Sequence, residues 1–258
     1  MPRPAPPTFA DACERLLLDP DGDHSLYTTL APLYNKMLDD AHFDAQFEAV
    51  RAFAPEAGDA LELGCGVGGL LAHLTDRYDR VVGVDRNPPL LRYTARSAPT
   101  ADVVAADATR LPLSATFDVV VSFEYLAAHL DESGLERLLD SAADRLAPGG
   151  SLLVDSVVDP VAVREDAVGV YRGSNYRLER AVTDLPASDH PGVDLKVDYR
   201  ATDERTGESA IASETLPVHV HDEDTLRAAA DAAGLTDVRV VSAATDEGAV
   251  VLFGRKPE

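Results

Sequence analysis

Between residues 57 and 158, short apolar runs alternate with longer amphipathic stretches. ALEL (60–63), RVVGVD (80–85), DVVAAD (102–107), FDVVVSF (117–123) and SLLVDSVV (151–158) are nearly continuous in apolar content. Strands buried on both faces read this way. GLLAHLTDRY, the stretch over about 88–97 and SGLERLLDSAADRLAPGG separate them and carry apolar residues at helical spacing. Pro88 and Pro89 suit the first turn of the second helix, and Pro148-Gly149-Gly150 stops the third. Strands alternating with helices predict a parallel sheet covered on both faces.

The flanks follow other patterns. Residues 9–53 read as a helical leader with breaks at Asp19–Asp23 and at Pro32, closed by Pro55–Gly58. Residues 1–8 are Pro-rich and are expected to lack order. After Pro160 the period changes. Residues 161–175 read as helical, and NYRLERAVTDL, VDLKVDYRATD and ESAIASETLPVHVH follow as three more polar, alternating strands. Antiparallel strands with one wet face have this character. Turn signals stand at Pro186, Pro191-Gly192 and Thr206-Gly207. DEDTLRAAADAAG predicts a helix with Asp222 as N-cap and Gly234 at its C-terminal cap. TDVRVVS and GAVVLFG close the chain as a hairpin-like strand pair. Four segments result: a leader or cap (1–54), a core (55–160), a strand-rich insert (161–220) that is a candidate substrate lid, and a C-terminal completion of the core (221–258).

The sharpest chemical feature is Glu62-Leu-Gly64-Cys-Gly66-Val-Gly68-Gly69, between the first strand and the first core helix. Glycines let a backbone turn tightly and approach a ligand, and the helix N-terminus points at the loop. Gly64, Gly66 and Gly69 fit the dinucleotide GxGxxG pattern, with Asp85 near the spacing of a ribose-binding acid. Glu62, Gly64, Gly66 and Gly68 fit an E-x-G-x-G-x-G loop equally well. The loop alone leaves the cofactor open between a nicotinamide dinucleotide and S-adenosylmethionine.

Further motifs separate the two. Ala106-Asp107-Ala108 ends the third strand and Leu111-Pro112 follows. Phe117-Asp118 opens the fourth, and Leu146-Ala-Pro148-Gly149-Gly150 precedes the fifth. With the helical leader, this ordered series resembles the class I S-adenosylmethionine-dependent methyltransferases, in their small-molecule branch. The resemblance covers about residues 57–157 strongly and 222–256 moderately. It implies an α/β Rossmann-like, seven-stranded, mostly parallel sheet with its last strand antiparallel, helices on both faces, an N-terminal helical leader and an antiparallel β insert.

By the resemblance, Gly64, Gly66 and Gly68, with Cys65 among them, pass close to the methionine moiety, and Glu62 fixes the loop and helps hold the amino-acid end. Asp85 accepts from both ribose hydroxyls, and Arg86 lies beside the adenine. Asp107 and the Ala108 N–H serve the adenine, and Ser122 and Phe123 border the methionine end. Asp85 and Asp107 also read as strand-terminating turn acids. Methyl transfer is an in-line displacement governed by positioning. Candidates beside the reacting carbon are Tyr34, Tyr125 and His129, with Glu124 and Tyr27 near them. Tyr34 and His129 read equally as a core tyrosine and a helix-capping histidine. Arg164, Arg172, Arg177 and Arg180 allow an acidic acceptor or, more simply, surface ion pairs. The implied function is methyl transfer to a small molecule. An RNA or protein methyltransferase and a non-catalytic S-adenosylmethionine-binding module are the alternatives.

The formal net charge is -22, and of 23 basic residues only Lys36, Lys196 and Lys256 are lysine. Such charge opposes binding to nucleic acid or anionic membranes. It is spread along the chain, which points to a salt-rich cytoplasm, a halophilic habit and an acidic protein. Folding stability is therefore expected to rise with KCl, which screens self-repulsion; equal stability in dilute buffer would exclude the idea. The two cysteines, Cys13 and Cys65, make no disulfide framework. His219 and His221 share a strand face but lack a third partner, so no metal is expected. No apolar run approaches the ~20 residues of a membrane span.

Overall fold

The leader folds as three helices, α1 (Phe9–Leu18), α2 (Ala31–Met37) and α3 (Asp40–Phe53), in a computed structural model that describes residues 4–163, 168–186, 189–243 and 247–258. Thr8 and Asp11 form a capping box at the start of α1, satisfying helix N–H groups that have no partner within the helix. Order thus begins earlier than the Pro-rich composition predicts: Thr8 caps α1 and the Pro7 carbonyl accepts from the Tyr93 hydroxyl. Pro32 opens α2 instead of breaking a helix, because its missing N–H costs nothing in the first turn.

The core follows as β1 (Asp59–Leu63), α4 (Gly69–Thr75), β2 (Arg80–Asp85), α5 (Pro88–Ser97), β3 (Asp102–Ala105), β4 (Phe117–Ser122), a 3-10 turn (Ala127–His129), α6 (Glu132–Arg145) and β5 (Leu146–Val157). The insert supplies β6 (Val168–Arg172), β7 (Tyr176–Pro186), β8 (Gly192–Asp203) and β9 (Ser209–His219), and the chain ends in α7 (Glu223–Ala232), β10 (Thr236–Ser242) and β11 (Ala249–Arg255). The main sheet has the order β10-β11-β5-β4-β1-β2-β3, with β11 antiparallel to both neighbours. Strand order reverses between β1 and β4, so the connections leaving them part and open a crevice at the strand carboxyl ends.

Side-chain parity decides what lies on each face. Leu61, Leu63, Val82, Val84 and Val120 pack with Leu135 and Leu139 of α6 and Leu226 of α7. Ala60, Val81, Val119 and Val121 take the other face, with Leu70 and Leu74 of α4 and the leader. Glu62 shares the parity of Ala60, so this carboxylate is buried (5% exposed) on the leader side. Asp222 caps α7 by accepting from the Thr225 N–H, and Gly234 just beyond has φ 74°, as predicted.

The insert corrects one expectation. Part of the stretch expected to be helical is the strand β6, so the second sheet has four strands in the order β6-β7-β8-β9. VGVYR pairs antiparallel with β7 from Val168↔Ala181 to Arg172↔Arg177. Strand preference is set by such pairing more than by local propensity. In β8, Val193, Leu195, Val197, Tyr199 and Ala201 are buried in the same cluster as Leu16 of α1 and Leu33 of α2. Each large side chain so buried contributes on the order of 1.5–3 kcal/mol. Among the described residues, no helix is long and apolar enough to cross a membrane.

Candidate functional site

Both oxygens of Asp85 at the end of β2 are engaged. Oδ2 accepts from the Gly66 N–H (3.0 Å) and Oδ1 from the Asn87 N–H (2.7 Å). The carboxylate therefore shapes the glycine loop as well as facing the crevice. Burial raises its proton affinity, and the two N–H donors oppose that. Gly66 has φ 50°, and a Cβ there would project to 3.6 Å from Tyr34 Cε1. Gly68 has φ 81°, and a Cβ there would stand 2.7 Å from Thr94 Cγ2. Gly66 is thus required for its left-handed backbone, since a Cβ would meet Tyr34 only at ordinary contact distance, whereas Gly68 lets α4 close on α5.

A cavity of about 220 Å³ occupies the crevice. Of the residues the sequence singled out, Tyr34, Gly64, Gly66, Asp85, Arg86, Asp107, Ala108, Phe123 and His129 line it. Glu62, Cys65, Gly68, Ser122 and Tyr125 do not. Cys65 lies against Gly83, where a Cβ would stand 2.9 Å from its Sγ, and burial pushes its thiol well up. Ser122 is fully buried in β4. Asp107 is exposed, and its Oδ1 accepts from the Thr109 N–H and hydroxyl, both at 2.8 Å; those bonds hold it below the ordinary carboxylate range. It is a turn acid that also borders the cavity.

Glu62 is the informative exception. Its Oε2 is buried with no hydrogen-bond partner. Desolvation, then the nearby Glu124 and Asp85, push its proton affinity well up. A buried carboxyl oxygen without a partner is costly, and Glu62 Oε2 is such an atom, next to the glycine loop.

Three segments meet over the cavity. The Tyr27 hydroxyl donates to His129 Nε2 (2.9 Å). His129 also bonds the Pro217 backbone; Pro217 has only a carbonyl to offer, so the imidazole donates there. Burial lowers the affinity of His129 for a second proton, leaving a neutral ring with both nitrogens used. Glu214 of β9 accepts from the Leu26 N–H (3.0 Å) and from the Tyr199 hydroxyl (2.5 Å). Leader, core and insert are pinned together around Tyr27, and Leu216 and Pro217 of the insert form part of the wall. Tyr34 packs edge-on against Tyr27 at 5.3 Å, and burial keeps its hydroxyl protonated. Tyr27, Asn87, Leu216 and Pro217 join the wall through the fold; of these only Tyr27 carried a signal in the sequence.

The loop after β4 is strained. Glu124 and Tyr125 have φ 66° and 59°, a region that costs most residues other than glycine about 1–3 kcal/mol each. Asp155 of β5 (7% exposed) holds the turn by accepting the Tyr125 N–H at 3.0 and 3.1 Å. The Glu124 carboxylate meets His42 and Gln46 of α3. Tyr125, Glu124 and Phe123 border a second cavity of about 260 Å³, and Glu124 and Phe123 also line the first.

The arginines of the insert are mostly paired at the surface. Arg172 bonds Glu204, and Arg177 and Arg200 flank Glu179. Arg180 is buried near Tyr199 and Glu214, and Arg164 lies outside the described residues. His219 lies between His190 (4.2 Å, tilted by 39°) and His221 (6.3 Å, stacked), while His221 Nε2 donates to the Leu130 carbonyl at 3.0 Å.

A mostly parallel sheet with an antiparallel last strand, and a glycine loop and a buried acid at its crevice, is a class I methyltransferase fold. Residues 60–150 match the family model of a methyltransferase domain, and the chain carries that domain. A dTDP-4-amino-2,3,4,6-tetradeoxy-D-glucose N,N-dimethyltransferase of Saccharopolyspora spinosa is 28% identical over 109 residues, 42% of this chain and 44% of that protein. The match thus spans less than half the length of this curated relative. Among solved structures, a sugar N-methyltransferase from Streptoalloteichus superposes with a TM-score of 0.78 at 23% identity, covering 92% of this chain and 96% of that one. An amino pentose methyltransferase from Micromonospora echinaspora, solved with S-adenosylmethionine bound, gives 0.72 at 19% identity over 91% and 99%.

Proposed function

We propose that the protein transfers a methyl group from S-adenosylmethionine to a small-molecule acceptor. The observation that carries this reading is the cavity at the switch point, bordered by Gly64, Gly66, Asp85 and Asp107, beside a buried carboxylate oxygen of Glu62 that lacks a partner. These residues fit the cofactor. Asp85 offers its remaining lone pairs to the ribose hydroxyls. Asp107 and Ala108 stand at the adenine end, and Glu62 answers the ammonium of the methionine end. When bound, the cofactor would supply a methyl carbon made electrophilic by its sulfonium, with the neutral thioether as leaving group and any proton on the acceptor atom passing to solvent.

The protein's own contribution is positioning. The Tyr34 ring covers the loop, and its protonated hydroxyl orients groups without acting as a base. Neutral His129 positions Tyr27 and Pro217 at the wall. Tyr125 stands at the acceptor side, on the second cavity. The names of the relatives give the acceptor class that we favour, a sugar carrying an amine. The insert, through Leu216 and Pro217, covers the site. The surface pairing of Arg172 and Arg177 argues against these residues as a carboxylate clamp.

Calorimetric titration in high KCl with S-adenosylmethionine, S-adenosylhomocysteine and NAD tests the reading. Saturable binding of the first two and none of NAD is expected. Binding of NAD alone would overturn the proposal.

A further inference from the structure

The second cavity has its own chemistry. Its polar end gathers His42, Gln46, Glu124 and Asp155, and its walls include Phe53 and Val251. Among the described residues no lysine or arginine lines it. Glu124 and Asp85 both help to raise the proton affinity of Glu62, which places Glu124 close to that buried carboxyl. A negative potential with apolar walls suits a cation on a carbon skeleton and opposes an anion.

The position of Glu124 is held by several elements. Two consecutive residues other than glycine adopt left-handed backbone at Glu124 and Tyr125. Asp155 holds that turn from β5, and α3 supplies His42 and Gln46 to fix the carboxylate. Strained backbone persists where the surroundings over-determine it, commonly at ligand sites. The turn places the Glu124 side chain at the junction of the two cavities, between the crevice and an unassigned space.

We propose that the second cavity is the acceptor subsite for an amine: Glu124, oriented by His42 and Gln46, receives the acceptor nitrogen, and the Phe53 and Val251 side takes its carbon skeleton. This rests on the methyltransferase reading and adds to it the residues that select nitrogen. A charge-assisted bond from an ammonium or amine N–H to a carboxylate is about twice as strong as a neutral one. An acceptor with a carboxylate or phosphate at this position meets the carboxylates of Glu124 and Asp155.

Two cofactor-site ligands test the idea without knowledge of the natural acceptor. S-adenosylhomocysteine has a bare sulfur, whereas sinefungin carries a primary amine on a carbon in place of that sulfur, presented where the acceptor must approach. Wild-type protein is expected to bind sinefungin on the order of 10-fold more tightly in calorimetric titration. In Glu124→Gln that preference should collapse to about parity while affinity for S-adenosylhomocysteine holds, which also shows that the variant is folded. His42→Gln, at the partly exposed end of α3, should reduce the preference several-fold by releasing Glu124. Equal affinities in wild type would overturn the amine subsite and leave the cofactor reading standing. So would a Glu124→Gln variant weakened equally for both ligands, which would make Glu124 a cofactor anchor. Folded wild-type protein that binds neither ligand would overturn the cofactor reading and this proposal with it.

Discussion

Asp85→Ala is expected to lower affinity for S-adenosylhomocysteine by at least about 100-fold. Two losses add. The ribose hydroxyls lose a charged acceptor, and bonds to charged groups are worth about 1.5–3 kcal/mol each. The glycine loop also loses its tie, because Asp85 accepts the Gly66 and Asn87 N–H groups. Leaving a buried N–H unsatisfied costs about 1–3 kcal/mol, so the melting temperature of the unliganded protein should fall too. Asp107→Ala is the control. That carboxylate is exposed and committed to Thr109, so a loss under about 10-fold is expected from one partly solvated contact. Calorimetric titration and thermal melting of both variants read the outcome. Equal losses from the two would mean that Asp85 has no special place; unchanged binding in Asp85→Ala would remove it from the site.

The difference between these two aspartates marks what was legible in the sequence. Both end predicted strands, and the motif series treats them alike. Only packing separates them, since β2 is flanked by β1 and β3 whereas β3 is the last strand of the sheet. The core itself was readable because strands buried on both faces leave few apolar patterns to choose from. The same parity makes Glu62 conspicuous, a lone acid between Leu61 and Leu63 in a strand buried on both faces. β6 is hidden in the sequence because 161–175 lacks a strong period of either kind, and its strand character comes from pairing with β7. The wall residues from the insert were invisible for a related reason. Leu216 and Pro217 reach the cavity only because β9 packs beside the 3-10 turn, through contacts separated by about ninety residues in sequence. Glu124 and Tyr125 follow directly on β4 in the sequence, but no local signal announces left-handed backbone at residues other than glycine.

Glu62→Gln should separate stability from binding. In the unliganded fold the Glu62 carboxyl holds its proton well above the ordinary range, chiefly because it is desolvated. A folded state that keeps a proton the unfolded chain releases loses stability as pH rises past the unfolded pKa of about 4.3. The contribution of Glu62 to the unliganded protein is therefore least unfavourable in acid and worsens toward neutral pH. Glutamine has the same shape and no proton to lose, so the variant should melt at the same temperature as wild type near pH 5 and higher than wild type near pH 8. Binding should move the other way. An ammonium favours the ionised carboxylate, so a ligand with an amino-acid end should drive a proton off Glu62. The observed heat of binding in wild type should then depend on the ionisation heat of the buffer, and affinity should rise with pH. In Glu62→Gln the buffer dependence should vanish and affinity should drop by on the order of 10- to 100-fold, the equivalent of one charged hydrogen bond. Retained affinity with no proton release in wild type would assign Glu62 to the loop alone. A variant that is stabilised and binds poorly would identify a carboxylate kept unpartnered in the empty protein for its ligand, at a cost in stability that the bound state recovers.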